Sequence, residues 1–120
     1  MYEHSLTNSL KNVVLSLCNK TGWRKVNRVV AKVGGLRSVN PELMSFIFAG
    51  LTKDTPAEGA ILSVIMLPIT LRCNSCGRIG IREEKIFTCP TCGSDDIKIL
   101  SGLELGIEAI EVDNNFYNYE

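Results

Sequence analysis

Two pairs of cysteines with the same internal spacing constrain the fold of this chain more than any other feature. Cys73 and Cys76 form the first pair, Cys89 and Cys92 form the second, and twelve residues separate them. A glycine follows each pair and lets the backbone turn tightly, with its N–H groups directed at the sulfurs. Four thiolates fill a tetrahedral zinc shell and leave no position for water. The spacing therefore predicts a structural Zn(II) site with these four cysteines as ligands.

Other uses of paired cysteines are also open to the sequence. Rubredoxin-like iron would suit the same four sulfurs, in particular the half Cys89-Pro90-Thr91-Cys92. Redox disulfides and a thioredoxin-like pair are disfavoured, because neither explains a second matched pair. A catalytic zinc site is disfavoured most, since it needs an open coordination position. With one histidine and no glycine-rich phosphate loop, the chain is not expected to be an enzyme.

The charge of the chain is balanced, which bears on its partners. Lysine and arginine together number 13, as do aspartate and glutamate, so the formal net charge is zero. Two cysteine pairs of this kind are typical of a zinc ribbon, and a zinc ribbon that binds nucleic acid needs a basic surface to contact phosphates. We therefore expect no nucleic-acid partner. A nucleic-acid-binding zinc-ribbon module is kept as the alternative from another functional class.

The sequence also indicates a cellular compartment. Its start is polar and lacks the basic and apolar regions of a secretory signal. The longest apolar stretch, 60–67, is too short to span a bilayer. Thiolate ligands together with lone Cys18 fit a reducing cytoplasm better than an oxidising compartment. We expect a cytoplasmic protein without a membrane partner, either monomer or dimer.

Hydrophobic periodicity predicts two helices and three strands outside the cysteine segment. A stripe of period 3.6 indicates a helix over 6–18 with Gly22 as its stop, and alternation in a valine-rich segment indicates a strand over 25–33. Asn40, followed by proline, is a predicted N-cap of a second helix. That helix is apolar most of the way round and is therefore expected to be well buried. The run 60–67 predicts a central strand buried on both faces, and 105–112 predicts a further strand.

The order of these elements predicts an α+β fold: two helices packed on a small mixed three-stranded sheet, with an inserted zinc-ribbon subdomain. The main domain would comprise 1–71 plus 101–112, and the ribbon 72–100. Within the ribbon, 79–81 and 85–88 fit two short strands. Residues 113–120 have little to bury and are expected to form a mobile tail.

The ordered set of motifs resembles the HypA/HybF family of zinc metallochaperones, which incorporate nickel into [NiFe]-hydrogenase. The match covers nearly the whole chain, and no single motif is specific. The motifs that carry it, besides the two cysteine pairs and the strand 105–112, are Met1-Tyr2-Glu3 before an amphipathic helix, Lys32-Val33-Gly34-Gly35 and Ala57-Glu58-Gly59-Ala60.

The resemblance implies a soluble metallochaperone whose α+β domain binds nickel. Ni(II) would be a transient cargo, received at the amino terminus and passed with a GTPase partner to the hydrogenase large subunit. The nickel-binding residues implied are Met1, Tyr2, Glu3 and His4. A weaker variant of this function is a zinc-ribbon adaptor between the same partners, with weakened nickel binding.

Tyr2 departs from the family pattern, in which the second residue is normally histidine. The phenol has a pKa near 10 and is mostly protonated at neutral pH, so it replaces an imidazole poorly. His4 is the only histidine in the chain and is the candidate to compensate. If the helix runs back to Tyr2, then Tyr2 lies on the apolar stripe and His4 faces the opposite side of the helix. If the chain is instead extended before Ser5, His4 could fold back onto the terminal amine. No histidine adjoins the cysteine pairs, so we expect a fixed four-sulfur shell that does not respond to mild acid.

Overall fold

The structure, a computed structural model, describes residues 2–82 and 88–118. In these ranges the chain forms two α-helices, one short 3-10 helix and seven strands. They are α1 (Tyr2–Thr21), β1 (Arg28–Gly34), the 3-10 helix (Gly35–Arg37), α2 (Pro41–Leu51), β2 (Ile61–Leu67), β3 (Ile69–Cys73), β4 (Ile79–Arg82), β5 (Ile97–Ser101), β6 (Leu105–Val112) and β7 (Asn115–Asn118). Neither helix of this described part has the length and hydrophobicity required to cross a membrane.

The chain divides into two compact units. The first comprises Met1–Lys32, Val39–Ile65 and Gly106–Glu120, and the second Val33–Ser38 and Met66–Leu105. The second unit contains the cysteine pairs, but it begins earlier than the predicted ribbon and includes a segment that precedes α2. The assignment of nickel to the first unit and zinc to the second stays a prediction.

Helix α1 begins at Tyr2, four residues before the predicted range 6–18. Its apolar stripe is buried, with Leu10 only 2% and Val14 0% exposed. The helix ends at Thr21 and is followed by Gly22, whose φ of +82° favours glycine and whose N–H donates to the carbonyl of Cys18 at 2.8 Å. The helical start places Tyr2, Glu3 and His4 on successive faces of one turn.

Helix α2 begins as predicted and is buried less than predicted. The side chain of Asn40 caps it by accepting a hydrogen bond from the N–H of Leu43 at 3.1 Å. Met44 and Phe48 are buried on the inner face, whereas Phe46 is 78% exposed. The expectation that this helix is well buried holds for its inner face only, because a helix of three turns packs one face on its neighbours and leaves the other to solvent.

The first sheet has the order β2-β1-β6-β7 and is mixed, as predicted. The N–H of Asn27 donates to the carbonyl of Glu111 at 2.8 Å, and β1 runs antiparallel to β6. The N–H of Ile61 donates to the carbonyl of Asn27 at 3.1 Å, which sets the start of β2 beside the start of β1. The α+β fold class is confirmed, but this sheet has four strands and not three.

Strand β2 lies at an edge of this sheet, so the prediction of a central strand buried on both faces is wrong. Leu62 is 5% exposed on the face that receives α2, where the hydroxyl of Ser45 donates to the carbonyl of Leu62 at 2.9 Å. Ile61 and Ile65 are 54% and 45% exposed. A continuous apolar run does not reveal that only one face of its sheet is covered.

Strand β7 occupies part of the segment that was expected to form a mobile tail. It pairs antiparallel with β6, from Val112 opposite Asn115 to Ala109 opposite Asn118. The structure therefore has a paired strand at Asn115–Asn118, where the sequence indicated none. Two adjacent aromatic residues between asparagines give no alternation of apolar and polar side chains by which a strand could be recognised, and all four side chains are exposed.

The second sheet, in the order β4-β3-β5, is the scaffold of the cysteine pairs. Its central strand β3 pairs antiparallel with both neighbours and ends at Cys73, so the first ligand lies at the end of a paired strand. Gly34 comes close to a second chain segment in this unit: a Cβ there would lie 2.1 Å from the carbonyl oxygen of Gly102.

Candidate metal sites

The four cysteines converge on one point in the second unit. Their Sγ atoms all lie within 4.8 Å of one another. Sγ of Cys73 is 3.5 Å from Sγ of Cys92, and Sγ of Cys76 is 3.7 Å from Sγ of Cys89. A tetrahedral ion with metal–sulfur bonds of about 2.3 Å requires sulfur–sulfur distances of about 3.8 Å. The cluster therefore has the size that a tetrahedral four-thiolate ion needs.

The two cysteine loops share one backbone conformation. The N–H of Gly77 donates to the carbonyl of Cys73 at 2.9 Å, and the N–H of Gly93 donates to the carbonyl of Cys89 at 2.8 Å. Both glycines have positive φ, +79° and +73°, which side chains rarely adopt. Each turn thereby brings the two sulfurs of its pair to the same side.

Backbone N–H groups also stabilise negative charge on the sulfurs. Hydrogen bonds from the N–H groups of Cys92 and Thr91 lower the pKa of Cys89 to about 6. The N–H of Ser94 acts to lower the pKa of Cys92, but the sulfur of Cys73 and the other nearby sulfurs raise it, and it rises to about 12. The backbone favours a thiolate here while the crowded sulfurs resist further negative charge. A cation among them relieves that repulsion.

Polar contacts join the two loops independently of the sulfurs. The hydroxyl oxygens of Ser75 and Ser94 are 2.9 Å apart. The backbone N–H of Asn74 donates to the carbonyl of Asp96 at 2.9 Å, and its side-chain amide donates to the carboxylate of the same residue at 3.1 Å. The two halves of the site are therefore held at a defined distance by protein groups.

The predicted nickel residues lie at the start of α1, except that Met1 is outside the described residues. Tyr2 is 46% exposed. One carboxylate oxygen of Glu3 accepts a hydrogen bond from the backbone N–H of Asn40 at 3.2 Å. His4 is exposed and lines a groove of about 400 Å³ with residues of α2 and the loop after it, among them Phe46 and Lys53.

These amino-terminal side chains do not form a cluster like that of the cysteines. Within residues 2–82 and 88–118, the four cysteines are the only close grouping of three or more potential metal-binding side chains. Successive helical residues point about 100° apart, so Tyr2 and His4 point about 200° apart. The link from Glu3 to Asn40 has no local sequence signal, because it joins residues 37 positions apart.

The fold and the four-cysteine site define the class: an α+β protein with a ribbon that fits one tetrahedral metal ion. The family model of HypA, described as "Hydrogenase/urease nickel incorporation, metallochaperone, hypA", matches residues 1–112. The chain therefore belongs to the HypA family, as the resemblance of its motifs indicated.

Similar proteins agree over nearly the whole chain. "Hydrogenase maturation factor HypA" of Geobacter metallireducens is 35% identical over 114 residues, which are 94% of this chain and all of that protein. The protein of the same name from Acidithiobacillus ferrooxidans is 33% identical over 113 residues, with the same coverage. The solution structure of the Ni metallochaperone HypA from Helicobacter pylori has a TM-score of 0.66 and 23% identity, over 93% of this chain and 97% of that one. This likeness supports the fold.

Proposed function

We propose that this chain is a nickel metallochaperone of [NiFe]-hydrogenase maturation in the cytoplasm, with Ni(II) as its transient cargo. The observation that carries the proposal is the family match over 1–112, which includes both the amino terminus and the cysteine site. The onward step, delivery with a GTPase partner to the hydrogenase large subunit, follows from the family role. Five free cysteines in the described residues fit a reducing compartment.

We infer that the resident ion of the ribbon is zinc. Zinc prefers tetrahedral thiolate shells and has no redox chemistry, and the sulfur–sulfur distances suit it. Cys73, Cys76, Cys89 and Cys92 would hold it, and its role would be to fold the ribbon. A colourless preparation with one zinc per chain supports this assignment, whereas a red protein with iron would overturn it.

For the cargo site we propose Met1, Tyr2, Glu3 and His4 as the residues that bind Ni(II). Amine, amide and imidazole nitrogens suit Ni(II), and a protonated phenol contributes little. Since Tyr2 and His4 point away from each other in the helix, binding by the whole set requires the first turn of α1 to open. Glu3 would then exchange its hydrogen bond to Asn40 for the metal.

Calorimetry with Ni(II) tests this proposal on a chain with its native amino terminus and no tag. The variants are Tyr2→His and His4→Ala, with Ser5→Ala as a control in the same helical turn. We expect Tyr2→His to raise the affinity, His4→Ala to lower it about tenfold or more, and Ser5→Ala to leave it unchanged.

Two other outcomes have defined meanings. If the nickel affinity rises strongly in Tyr2→His but is unchanged in His4→Ala, the chain is assigned to the alternative function of an adaptor with weakened nickel binding. Equal nickel affinity in the parent and in a chain extended at its amino terminus would overturn the amino-terminal site altogether.

A further inference from the structure

Strand β7 consists of residues beyond the family match, which ends at Val112. Asp113 and Asn114 join it to β6 with φ values of +52° and +65°. Positive φ at both central residues is what a type I′ turn requires, and that turn matches the twist of a hairpin. The side chain of Asn27 accepts a hydrogen bond from the N–H of Asp113 at 3.0 Å and fixes the turn.

The register shows which backbone groups of β6 are paired with β7. Ile110 lies opposite Tyr117, and Val112 lies opposite Asn115. The carbonyl of Glu111 is directed to the other side, where it accepts a hydrogen bond from the segment before β1. Backbone groups of alternate residues point to opposite edges of an antiparallel strand. The N–H and C=O groups of Ile110 and Val112 therefore point to β7, which covers the outer edge of β6.

The side chains of β7 contribute little to the core. All four are exposed, Phe116 by 57% and Tyr117 by 43%. Tyr117 packs against Trp23 with a ring separation of 5.0 Å. By contrast, Ile110 and Val112 of β6 are 1% and 5% exposed. What β7 supplies is mainly backbone pairing along β6.

We propose that β7 shields the outer edge of β6 against pairing with a second copy of this chain. An uncovered edge presents a row of unpaired N–H and C=O groups to any other strand. A second β6 could pair with it antiparallel about a two-fold axis, which is the commonest symmetry of homodimers. The formal net charge of zero provides no long-range repulsion between copies.

The matched variants are Tyr117→Pro and Phe116→Pro. By the alternation above, the N–H of Tyr117 points to β6 and that of Phe116 points to solvent. Proline at 117 therefore removes a pairing donor, while proline at 116 is of the kind that edge strands tolerate. Asn114→Val is a second route, because a β-branched residue disfavours positive φ and opens the turn without changing either strand. Tyr117→Ala controls for loss of the ring.

Two measurements separate detachment of β7 from association. Trp23 is the sole tryptophan, so its emission reports whether β7 is in place. Sedimentation over a range of concentrations reports the mass. The parent chain is the baseline because β2 is the other edge strand of this sheet in the described residues and could itself associate.

We expect Tyr117→Pro and Asn114→Val to shift the Trp23 emission. At concentrations where the parent and Phe116→Pro keep the mass of one copy, these two variants should show twice that mass. Amide exchange should then be faster at Ile110 and Val112 in dilute samples and slower after association. The proposal is wrong if Phe116→Pro associates equally, or if neither Tyr117→Pro nor Asn114→Val associates more than the parent. Should Tyr117→Pro fail to fold, Asn114→Val decides.

Discussion

The carboxylate of Glu3 and the backbone N–H of Asn40 are joined by a hydrogen bond of 3.2 Å between the starts of the two helices. Asn40 in turn caps α2 through the N–H of Leu43. Glu3, which we propose as a nickel ligand, thus has a structural partner at the start of α2. If Glu3 binds nickel as proposed, this hydrogen bond must first be released. The helix cap next to it can be tested separately.

Loss of the cap should weaken the fold without affecting the ribbon. We expect Asn40→Ala to lower the free energy of unfolding by about 1 kcal/mol, because the N–H of Leu43 loses its acceptor. Asn40→Asp keeps an accepting oxygen and should change stability by only about a few tenths of a kcal/mol. Urea titration followed by circular dichroism measures both. Equal losses in the two variants would show that the cap does not contribute.

Removal of one ribbon cysteine should abolish stoichiometric metal. Cys73→Ala leaves three sulfurs, and the metal binding that folds small zinc units, on the order of 10 kcal/mol, is largely lost. Cys18→Ala is the control, since Cys18 is buried in α1 outside the cluster. Elemental analysis should find one zinc per chain in the control and well under one in Cys73→Ala. A full complement in Cys73→Ala would refute the four-sulfur site.

The ribbon should keep its shell in mild acid. The N–H groups of Cys92 and Thr91 lower the pKa of Cys89 from 9.0 to about 6. The stabilisation of that thiolate is thus fully present above pH 9 and declines as the pH falls through about 6. At about pH 6 the ligands should still all be sulfur, because no histidine adjoins the cysteine pairs to replace a thiolate. X-ray absorption at pH 7.5 and at about pH 6 should give the same four sulfur ligands. Nitrogen ligands at the lower pH would contradict this.

Gly34 should tolerate no side chain. Its φ of −69° is ordinary, but a Cβ would lie 2.1 Å from the carbonyl oxygen of Gly102, which is backbone and cannot rotate away. We expect Gly34→Ala to destabilise the chain by about 3 kcal/mol or more. Gly50→Ala is the control, because it adds a Cβ in α2 with no atom within 4 Å and should stabilise by about 0.5 kcal/mol. Thermal unfolding compares the two. Similar effects would contradict the close approach.

Features with a local cause could be predicted from the sequence. The Asn40 cap followed by proline and the glycine at the end of α1 are short-range signals with a direct backbone effect. The spacing of the cysteine pairs likewise identified which four side chains come together. The strand predicted at 79–81 appears as β4, while the one predicted at 85–88 lies mostly outside the described residues.

Features set by distant neighbours could not be predicted. Whether Ile61 and Ile65 are covered depends on which layer lies over β2, and an apolar run does not encode this. The ribbon strand β5 was missed because its alternation covers only three residues, from Ile97 to Ile99, before Leu100 interrupts it. The Asp113–Asn114 turn did carry a signal, since these residue types tolerate positive φ, but the strand after it is only four residues long and has no alternation.

Complete coordination by sulfur would keep an ion of the ribbon separate from the proposed nickel cargo. An ion enclosed by four thiolates can be displaced only after a cysteine releases it, so exchange at the ribbon would meet a kinetic barrier. The proposed amino-terminal site would offer nitrogen and oxygen donors instead, and such a site would exchange its ion faster. Under this proposal, donor softness and exchange rate would distinguish the structural ion from the cargo.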